Sequence, residues 1–229
     1  KDSIFYDFWS KKTNAKEIIS FGFQENSDFK VSEIEIDILN NSTNFYLSFD
    51  GKKEKFFING ASHHNPLNAA LSVAIAIYCG CSLSNIKERL KFIDLPERRL
   101  AISNSLMGSL LIDDSYNSNP ASLKNAVDSL EGIKRKKVCI LGDMKELGSD
   151  SQQIHQEMYE YISERVDQIL CIGGEWSTCS PNEKQDFYIF ENQDDLYSHL
   201  ISIIDNKTIL LVKGSRSTRM DLLADKLKE

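Results

Sequence analysis

The sequence contains no apolar run of the roughly 20 residues that a helix needs to cross a bilayer. It also lacks a basic excess, because 27 Lys and Arg stand against 34 Asp and Glu, for a net charge of −7. The first absence excludes membrane insertion. The second excludes a general nucleic-acid binder, which needs a basic face to neutralise phosphates. With 41% hydrophobic and 27% charged residues, the composition is that of a soluble globular protein.

Cysteine is scarce: there are 5, an odd number, and their spacing suggests no metal site. Cys139 and Cys171 lie within apolar, strand-like runs, where small buried thiols are common. Cys79 and Cys81 are one residue apart, and no second cysteine pair or histidine cluster follows them at ligand spacing. We therefore expect no metal-binding residues in this chain, and reduced structural thiols in a cytoplasmic protein.

Three signatures of catalytic or cofactor sites are missing. There is no G-x-x-x-x-G-K-[ST] loop to hold nucleotide phosphates, no G-x-G-x-x-G after a strand, and no G-x-S-x-G nucleophile elbow. The chain by itself therefore displays no complete catalytic apparatus. It also begins without Met and without an apolar leader, so we expect a piece of a longer protein that is not secreted.

The hydrophobic pattern changes partway along the chain. Residues 30–60 alternate apolar and polar on either side of Asp50 and Gly51, which predicts antiparallel strands joined by a tight hairpin, and two helices follow. The later residues alternate short β-branched runs with amphipathic helices, the pattern of a mostly parallel sheet covered on both faces. The sequence therefore predicts an α/β protein, with antiparallel strands in a domain at 1–97 and a Rossmann-like domain at 98–229.

Polar segments directly follow four of the predicted parallel strands. They are DDSYNSNP (113–120), GDMKELG (142–148), GGEW (173–176) and KGSRSTR (213–219). Ligands of parallel sheets bind outside the carboxyl ends of the strands, so we expect these segments to gather at one edge. Lys213, Arg216 and Arg219 lead into a helix start, which suits an anion such as a carboxylate or phosphate. Turn formation, or capping of the next helix by Ser118 or Asn119, would explain part of the first segment without a ligand.

Taken together, these segments resemble the Mur ligases of peptidoglycan synthesis. The matching stretches are HHNPLNAALSVAIA (63–76), PERRL (96–100), GSLLIDDSYNSNP (108–120), LGDMKELG (141–148) with His155 downstream, and LVKGSRSTRM (211–220). The Tyr-Asn-x-Asn form after the strand acid is most similar to the members that add D-alanyl-D-alanine to UDP-N-acetylmuramoyl-tripeptide. The resemblance implies that residues 98–229 form the family's C-terminal domain and residues 1–97 the last part of its central ATPase domain.

The resemblance implies an ATP-dependent amide ligation that also uses Mg²⁺. A tripeptide carboxylate attacks the γ-phosphate of ATP to give an acyl phosphate, and the amine of D-alanyl-D-alanine then displaces phosphate. The family's phosphate-binding loop, and a lysine that helps to hold magnesium, would precede Lys1. We therefore expect this piece to be inactive alone and the complete protein to act as a monomer.

The resemblance also assigns roles to individual residues. On the nucleotide side these are Asn68, Arg99, Asp114 and Tyr116, and on the side of the dipeptide they are Asn117, Asn119, Lys213, Ser215 and Arg216. Arg98 is an alternative candidate for the nucleotide-binding role of Arg99, and only the interval to Asp113 favours Arg99.

Two other interpretations remain open at this point. One is a Mur-type ligase that uses a different amino acid, which the same motifs would accommodate. The other is a non-catalytic α/β module that captures an amino acid, a peptide or a nucleotide, which the missing phosphate-binding loop favours.

Overall fold

The computed structural model describes residues 2–38, 40–61, 65–93, 97–182 and 186–229. His63, His64 and Pro96, which belong to the matching stretches, lie outside the described residues. The chain divides into two compact units, Lys1–Leu95 and Pro96–Glu229, a division two residues before the one expected from the sequence. Among the described residues, no helix combines the length and apolar character needed to span a bilayer.

The first unit contains a four-stranded sheet. Its elements are α1 (Tyr6–Lys12), β1 (Phe21–Gly22), β2 (Phe29–Asp37), β3 (Ser42–Phe49), β4 (Lys52–Asn59), α2 (Asn65–Tyr78) and α3 (Leu83–Leu90). The strand order is β1-β2-β3-β4, with β1 parallel to β2 and the other neighbours antiparallel. The predicted hairpin is confirmed: Asp50 and Gly51 connect β3 to β4 with φ of 48° and 69°, the left-handed pair of a type I′ turn.

Helix α2 packs its small residues against this sheet, where Ala70 and Val73 are buried in one core with Phe45 and Leu47. The sequence offers Ser82 or Ser84 as the cap of α3, and Ser82 caps it, because its hydroxyl accepts the Asn85 N–H at 3.3 Å. Helix α1 and strand β1 were not predicted. Since α1 buries none of its residues, it shows no periodic core face that the sequence could have revealed.

The second unit contains a six-stranded sheet. Its elements are β5 (Ala101–Asn104), β6 (Leu110–Asp114), α4 (Pro120–Asp128), β7 (Lys136–Gly142), α5 (Ser151–Ser163), β8 (Gln168–Ile172), β9 (Asp186–Phe190), α6 (Gln193–Ile203), β10 (Thr208–Lys213) and α7 (Met220–Leu227). The strand order is β5-β6-β10-β7-β8-β9, and only β5 is antiparallel to its neighbour. The mostly parallel sheet is confirmed, while the edge strand β5 was not predicted.

Helices cover both faces of this sheet. Helices α4 and α5 share one core with Cys139, whereas α6 and α7 share another with the next residue, Ile140. Alternate residues of one strand thus serve opposite cores, which is why the strands read as continuous apolar runs. The polar residues of the unit are left for the strand ends and the loops.

All five cysteines are free thiols. Cys139, Cys171 and Cys179 are buried, and Cys79 and Cys81 are exposed. Burial raises the pKa of Cys139 to about 12. The buried thiols therefore stay protonated and unreactive near neutral pH, as expected for structural cysteines.

Candidate functional site

The carboxyl edge of the second sheet brings the polar segments together. Strand β10 lies between β6 and β7, so Lys213 is in register with Asp114 on one side and with Leu141 on the other. Strand β8 continues this edge, with Ile172 beside Gly142. The segments that follow these strands therefore lie side by side, as the sequence predicted.

Two glycines permit the close approach of these strand ends. Gly142 ends β7 and Gly214 follows β10. A Cβ added at Gly142 would lie 2.8 Å from Met220 Cγ, and one added at Gly214 would lie 2.6 Å from the same atom. Any larger residue at either position would displace the start of α7 and the loop that precedes it.

A buried ion pair forms the centre of the edge. The ammonium of Lys213, whose residue is 2% exposed, donates to the Asp114 carboxylate and, at 2.9 Å, to the Asn117 carbonyl oxygen. The other carboxylate oxygen of Asp114 accepts the Leu100 N–H at 3.0 Å. Burial raises the pKa of Asp114 and lowers that of Lys213, and in both cases their mutual attraction partly offsets burial. Both groups therefore bond to protein atoms, whereas the resemblance implied that they contact ligands.

Arg99 and Tyr116 are the exposed part of the expected nucleotide side. The Arg99 guanidinium stacks over the Tyr116 ring, 4.4 Å from its centroid, and both residues are exposed. Arg98, by contrast, turns inward and forms ion pairs with Asp221 and Asp225. The two arginines therefore differ in exposure and in partners, and the assignment of Arg99 to the nucleotide stays a prediction.

Ser215 ties three of the polar segments to one another. Its hydroxyl accepts the Lys145 N–H at 2.8 Å and donates to the Ser118 carbonyl oxygen at 3.4 Å. Its own N–H donates to the Asp143 carbonyl oxygen at 3.1 Å. A buried serine at this position holds the loops after β6, β7 and β10 in one arrangement, because its bonds leave each loop little freedom.

The loop after β7 is fixed from below by His155, which is fully buried on α5. His155 Nε2 accepts the Met144 N–H at 3.1 Å, and Nδ1 donates to the Ser151 carbonyl oxygen at 2.7 Å. Asp143 extends the connection, since its carboxylate accepts the N–H groups of Glu175 and Trp176 at 3.2 and 3.3 Å. From the sequence, His155 could have been a surface or a core histidine, and the structure shows that it is in the core.

A cavity of about 660 Å³ opens at this edge, and we call it the carboxyl-edge cavity. It is lined by residues 117–119, 145–147, 215–217 and Arg219. It contains the predicted Asn117, Asn119, Ser215 and Arg216. Residues 145–147 were not predicted to belong to the site, although Gly142 and Gly148, which bracket this loop, were the available signal.

Charge and capping give this cavity its chemical character. Three lining side chains, those of Lys145, Arg216 and Arg219, are cationic and one, Glu146, is acidic. Lys145 and Arg216 also pair with acids behind the lining, at 2.9 and 3.0 Å. Asn119 is the N-cap of α4, because its Oδ1 accepts an N–H from the first turn at 2.8 Å. The cavity can therefore accept a small anion with further polar groups.

Asn68 belongs to the first unit. It is exposed on the first turn of α2, and its carbonyl oxygen accepts the Ser72 hydroxyl at 3.0 Å. The part of the chain that the structure describes holds no group of three or more His, Cys, Asp or Glu that could bind a metal ion.

Comparison with known proteins gives a consistent result. The family described as "Mur ligase, glutamate ligase domain" matches residues 98–216. The UDP-N-acetylmuramoyl-tripeptide–D-alanyl-D-alanine ligase of Buchnera aphidicola is 30% identical over 230 residues, which are 99% of this chain and 49% of the relative. The ligase of the same name from Haemophilus influenzae is 33% identical over 173 residues, which are 72% and 37% of the two chains.

Solved structures agree with these relatives. The crystal structure of MurF from Acinetobacter baumannii has a TM-score of 0.80 and 32% identity, and the match covers 92% of this chain and 46% of that one. The chain spans about half the length of the curated relatives it matches. Since the family match takes in more than half of the chain and includes the whole carboxyl edge up to Arg216, the chain belongs to the Mur ligase family.

Proposed function

We propose that this chain is part of an ATP-dependent ligase that adds D-alanyl-D-alanine to UDP-N-acetylmuramoyl-tripeptide. The relatives at 30% identity or more that carry this name support the proposal. The observation that carries it is the arrangement of the carboxyl edge. Arg99 and Tyr116 form an exposed stack there, and the residue after Tyr116, Asn117, already lines a cavity with cationic side chains. A ligase that joins two anionic reactants with ATP needs such a pairing of charge and position.

The nucleotide side of the proposal begins with Arg99 and Tyr116. Their stacked planes offer an aromatic surface and a positive charge, which suit a nucleotide base or its phosphates. Asp114 contributes by holding Leu100, and so the segment that carries Arg99. We keep Asn68 on this side, and the use of Mg²⁺, by the resemblance alone.

The dipeptide side is the carboxyl-edge cavity. We propose that Arg216 pairs with the carboxylate of D-alanyl-D-alanine, and that Asn117 and Asn119 bind its polar groups. Ser215 shapes the cavity through its bonds to the neighbouring loops. Lys213 holds the cavity lining from beneath, since its ammonium donates to the Asn117 carbonyl oxygen.

These residues orient and neutralise reactants, and none of them needs to form a bond to a substrate. ATP supplies the phosphoryl group that converts the tripeptide carboxylate into an acyl phosphate, with release of ADP. The amine of the dipeptide attacks that carbonyl, a tetrahedral intermediate forms, and phosphate leaves as the amide bond is made. The cavity holds the amine close to the carbonyl and excludes water, which would otherwise hydrolyse the acyl phosphate.

The substrate is tested by ADP release from the complete protein supplied with ATP and UDP-N-acetylmuramoyl-tripeptide. D-Alanyl-D-alanine should stimulate release, and diamino acids should not. Stimulation by another amino acid would indicate a different Mur-type ligase. No release with any amine would favour a non-catalytic binding module. Residues 1–229, tested by themselves, should be inactive.

The site is tested with Arg99→Ala and Asp114→Ala in the complete protein. Either substitution should raise the KM for ATP or lower turnover by about tenfold, because Arg99→Ala removes a charge-assisted contact with the nucleotide and Asp114→Ala releases the segment that carries Arg99. Arg165→Ala, at the other edge of the same sheet, serves as the control and should leave both constants unchanged. Wild-type kinetics for both Arg99→Ala and Asp114→Ala would reject the nucleotide assignment.

A further inference from the structure

Asp221 is a buried carboxylate that is shared by arginines from separate segments of the second unit. It lies in the first turn of α7 and is 5% exposed. One of its oxygens, Oδ2, accepts from Arg98 and, at 3.0 Å, from Arg216. Arg219 approaches the other oxygen, with Nε 3.9 Å from Oδ1. Local pattern does not single out this acid, because an acid in the first turn of a helix is ordinary.

The two arginines that meet at Oδ2 belong to different sides of the proposed site. Arg98 directly precedes Arg99, and its carbonyl oxygen accepts the Tyr116 N–H at 3.1 Å. It therefore positions both members of the stack on the nucleotide side. Arg216 lines the carboxyl-edge cavity on the dipeptide side. A single carboxylate oxygen thus connects the two sides through direct ion pairs.

We propose that Asp221 is a positioning residue that couples the nucleotide side to the dipeptide side of this ligase. The inference rests on the proposed function for the identity of the two ligands. Asp221 itself touches neither ligand. It acts through Arg98 and Arg216, so displacement of one guanidinium changes the partner available to the other.

Backbone strain on both sides supports this role. Arg98 and Leu100, which flank Arg99, have φ of 62° and 52°, and Arg219 has φ of 55°. Left-handed conformations are unfavourable for such residues and persist only where surrounding contacts hold them. Asp221 supplies contacts to Arg98 and Arg219, so the same carboxylate restrains the strained backbone before the stack and before α7.

Asp225 provides a matched control on the same helix. It also pairs with Arg98, at 2.9 Å, but it is more exposed and makes no ion pair with Arg216 within the described residues. If Asp221 only stabilised α7 or anchored Arg98, the two acids would differ in degree alone. If Asp221 couples the two sides, substitution of Asp221 changes the KM for both ligands, and substitution of Asp225 does not.

The test measures steady-state kinetics of the complete protein with Asp221→Asn, Asp221→Glu and Asp225→Asn. Asp221→Asn should raise the KM for ATP and the KM for D-alanyl-D-alanine by about threefold to tenfold each, because it removes the charge from two charge-assisted bonds. Asp221→Glu should restore part of both losses, and Asp225→Asn should leave the dipeptide KM unchanged. A change confined to kcat or to one KM, or an equal effect of Asp225→Asn, would overturn the proposal.

A double-variant cycle covers the case in which Asp221→Asn does not fold. Arg98→Gln and Arg216→Gln are made singly and together in the complete protein. Coupling through Asp221 predicts that the combined effect on KM departs from the product of the single effects by about threefold or more. Effects that simply multiply would contradict the coupling.

Hydrogen exchange separates failure of this inference from failure of the proposed function. The amides of Tyr116 and Arg219 donate to the carbonyls of Arg98 and Arg216. In Asp221→Asn both amides should exchange faster than in Asp225→Asn, whichever substrate the enzyme uses. If wild-type protein releases no ADP but both amides respond, the proposed function fails and the coupling stands. If only one amide responds, or neither does, the coupling fails.

Discussion

The second unit has cavities of similar size at the two edges of its sheet, and they differ in almost everything else. The carboxyl-edge cavity measures about 660 Å³. The other, which we call the amino-edge cavity, measures about 570 Å³. It is lined by Val127, Asp128, Glu131, Lys137, Tyr161, Glu164 and Arg165, at the last turns of α4 and α5 and the start of β7. Size therefore does not identify the functional edge.

The amino-edge cavity has an exposed cluster of paired side chains on a relaxed backbone. The Tyr161 hydroxyl donates to Asp128, and Arg165 stacks over the Tyr161 ring, 3.8 Å from its centroid, while it pairs with Glu164. None of its lining residues, all of which the structure describes, has a positive φ. Such features are those of an ordinary solvated surface.

The carboxyl-edge cavity combines exposed cations with a buried ionic floor and a strained rim. Glu146 and Arg219, which line it, have φ of 65° and 55°. Beneath it, Lys213 and Asp114 are buried as an ion pair. Burial of charge and strained backbone are both costly, and they persist where function requires a fixed geometry. The two edges therefore differ in these costs and not in cavity volume, and the costs fall at the proposed site.

The largest expected effect comes from breaking the buried ion pair. Lys213→Met should lower the free energy of unfolding of the second unit by about 3–5 kcal/mol, because it leaves the Asp114 carboxylate buried without its partner. Denaturant titration followed by the fluorescence of Trp176, which is fully buried in this unit, measures the loss. Adding Asp114→Leu should recover part of it. Lys226→Met, which removes an exposed pair with Asp194, should have no measurable effect, and an equal loss there would contradict the contrast.

The next effect concerns substrate affinity at the two edges. Arg216→Ala in the complete protein should raise the KM for D-alanyl-D-alanine by about tenfold, the loss expected for one guanidinium–carboxylate contact. The matched change at the amino edge, Arg165→Ala, should leave that KM unchanged. Equal effects of the two substitutions, measured as initial rates of ADP release, would remove the distinction between the two cavities.

Much of this edge was predictable from the sequence. Chain order and hydrophobic period showed which runs were strands and that most were parallel, and parallel strands share one carboxyl edge. The position of the segment DDSYNSNP at this edge was therefore predictable from local pattern alone. Strand β5 was not predictable in this way, because Ala101–Asn104 is short and lacks a regular alternation that would distinguish it from a loop.

The ion-pair partners of individual charged residues could not be predicted from the sequence. Arg98 and Asp221 lie 123 positions apart, and neither residue type indicates which of the nearby charges the other will meet. Likewise, Lys213 looked like a ligand-binding cation, but its ammonium is buried between Asp114 and Asn117. Local pattern fixes where a strand ends, whereas the direction and burial of a side chain depend on the packing of the whole unit.

A smaller effect distinguishes capping from ligand binding. Asn119 caps α4 and Asn192 caps α6, in each case through side-chain oxygen bonds to the first turn. Asn119→Ala and Asn192→Ala should each lower stability by about 1 kcal/mol. Only Asn119→Ala should also raise the dipeptide KM, and Asn119→Asp should restore the cap without the amide. If Asn119→Asp has wild-type kinetics, Asn119 is a cap and nothing more.

The smallest effect is a pH dependence of stability that differs between the edges. Burial alone would raise the pKa of Asp221, but the charges of three nearby arginines outweigh it and the pKa is lowered. Its stabilising contribution is therefore present above the unfolded value of about 3.9 and is lost as pH falls through the folded value. At the amino edge, the hydrogen bond to Asp128 and burial raise the pKa of Tyr161. That contribution is present below the unfolded value of about 10 and is lost as pH rises through the folded one.

Two comparisons of unfolding free energy test these signs. The difference between wild type and Asp221→Asn should be constant from about pH 7 to about pH 5 and should shrink towards about pH 3. The difference between wild type and Tyr161→Phe should shrink only above about pH 10. If the Asp221→Asn difference does not depend on pH, the arginines do not act on an ionised carboxylate. The electrostatic contrast between the two edges would then reduce to the Lys213–Asp114 pair, and the proposed coupling through Asp221 would lose its physical basis.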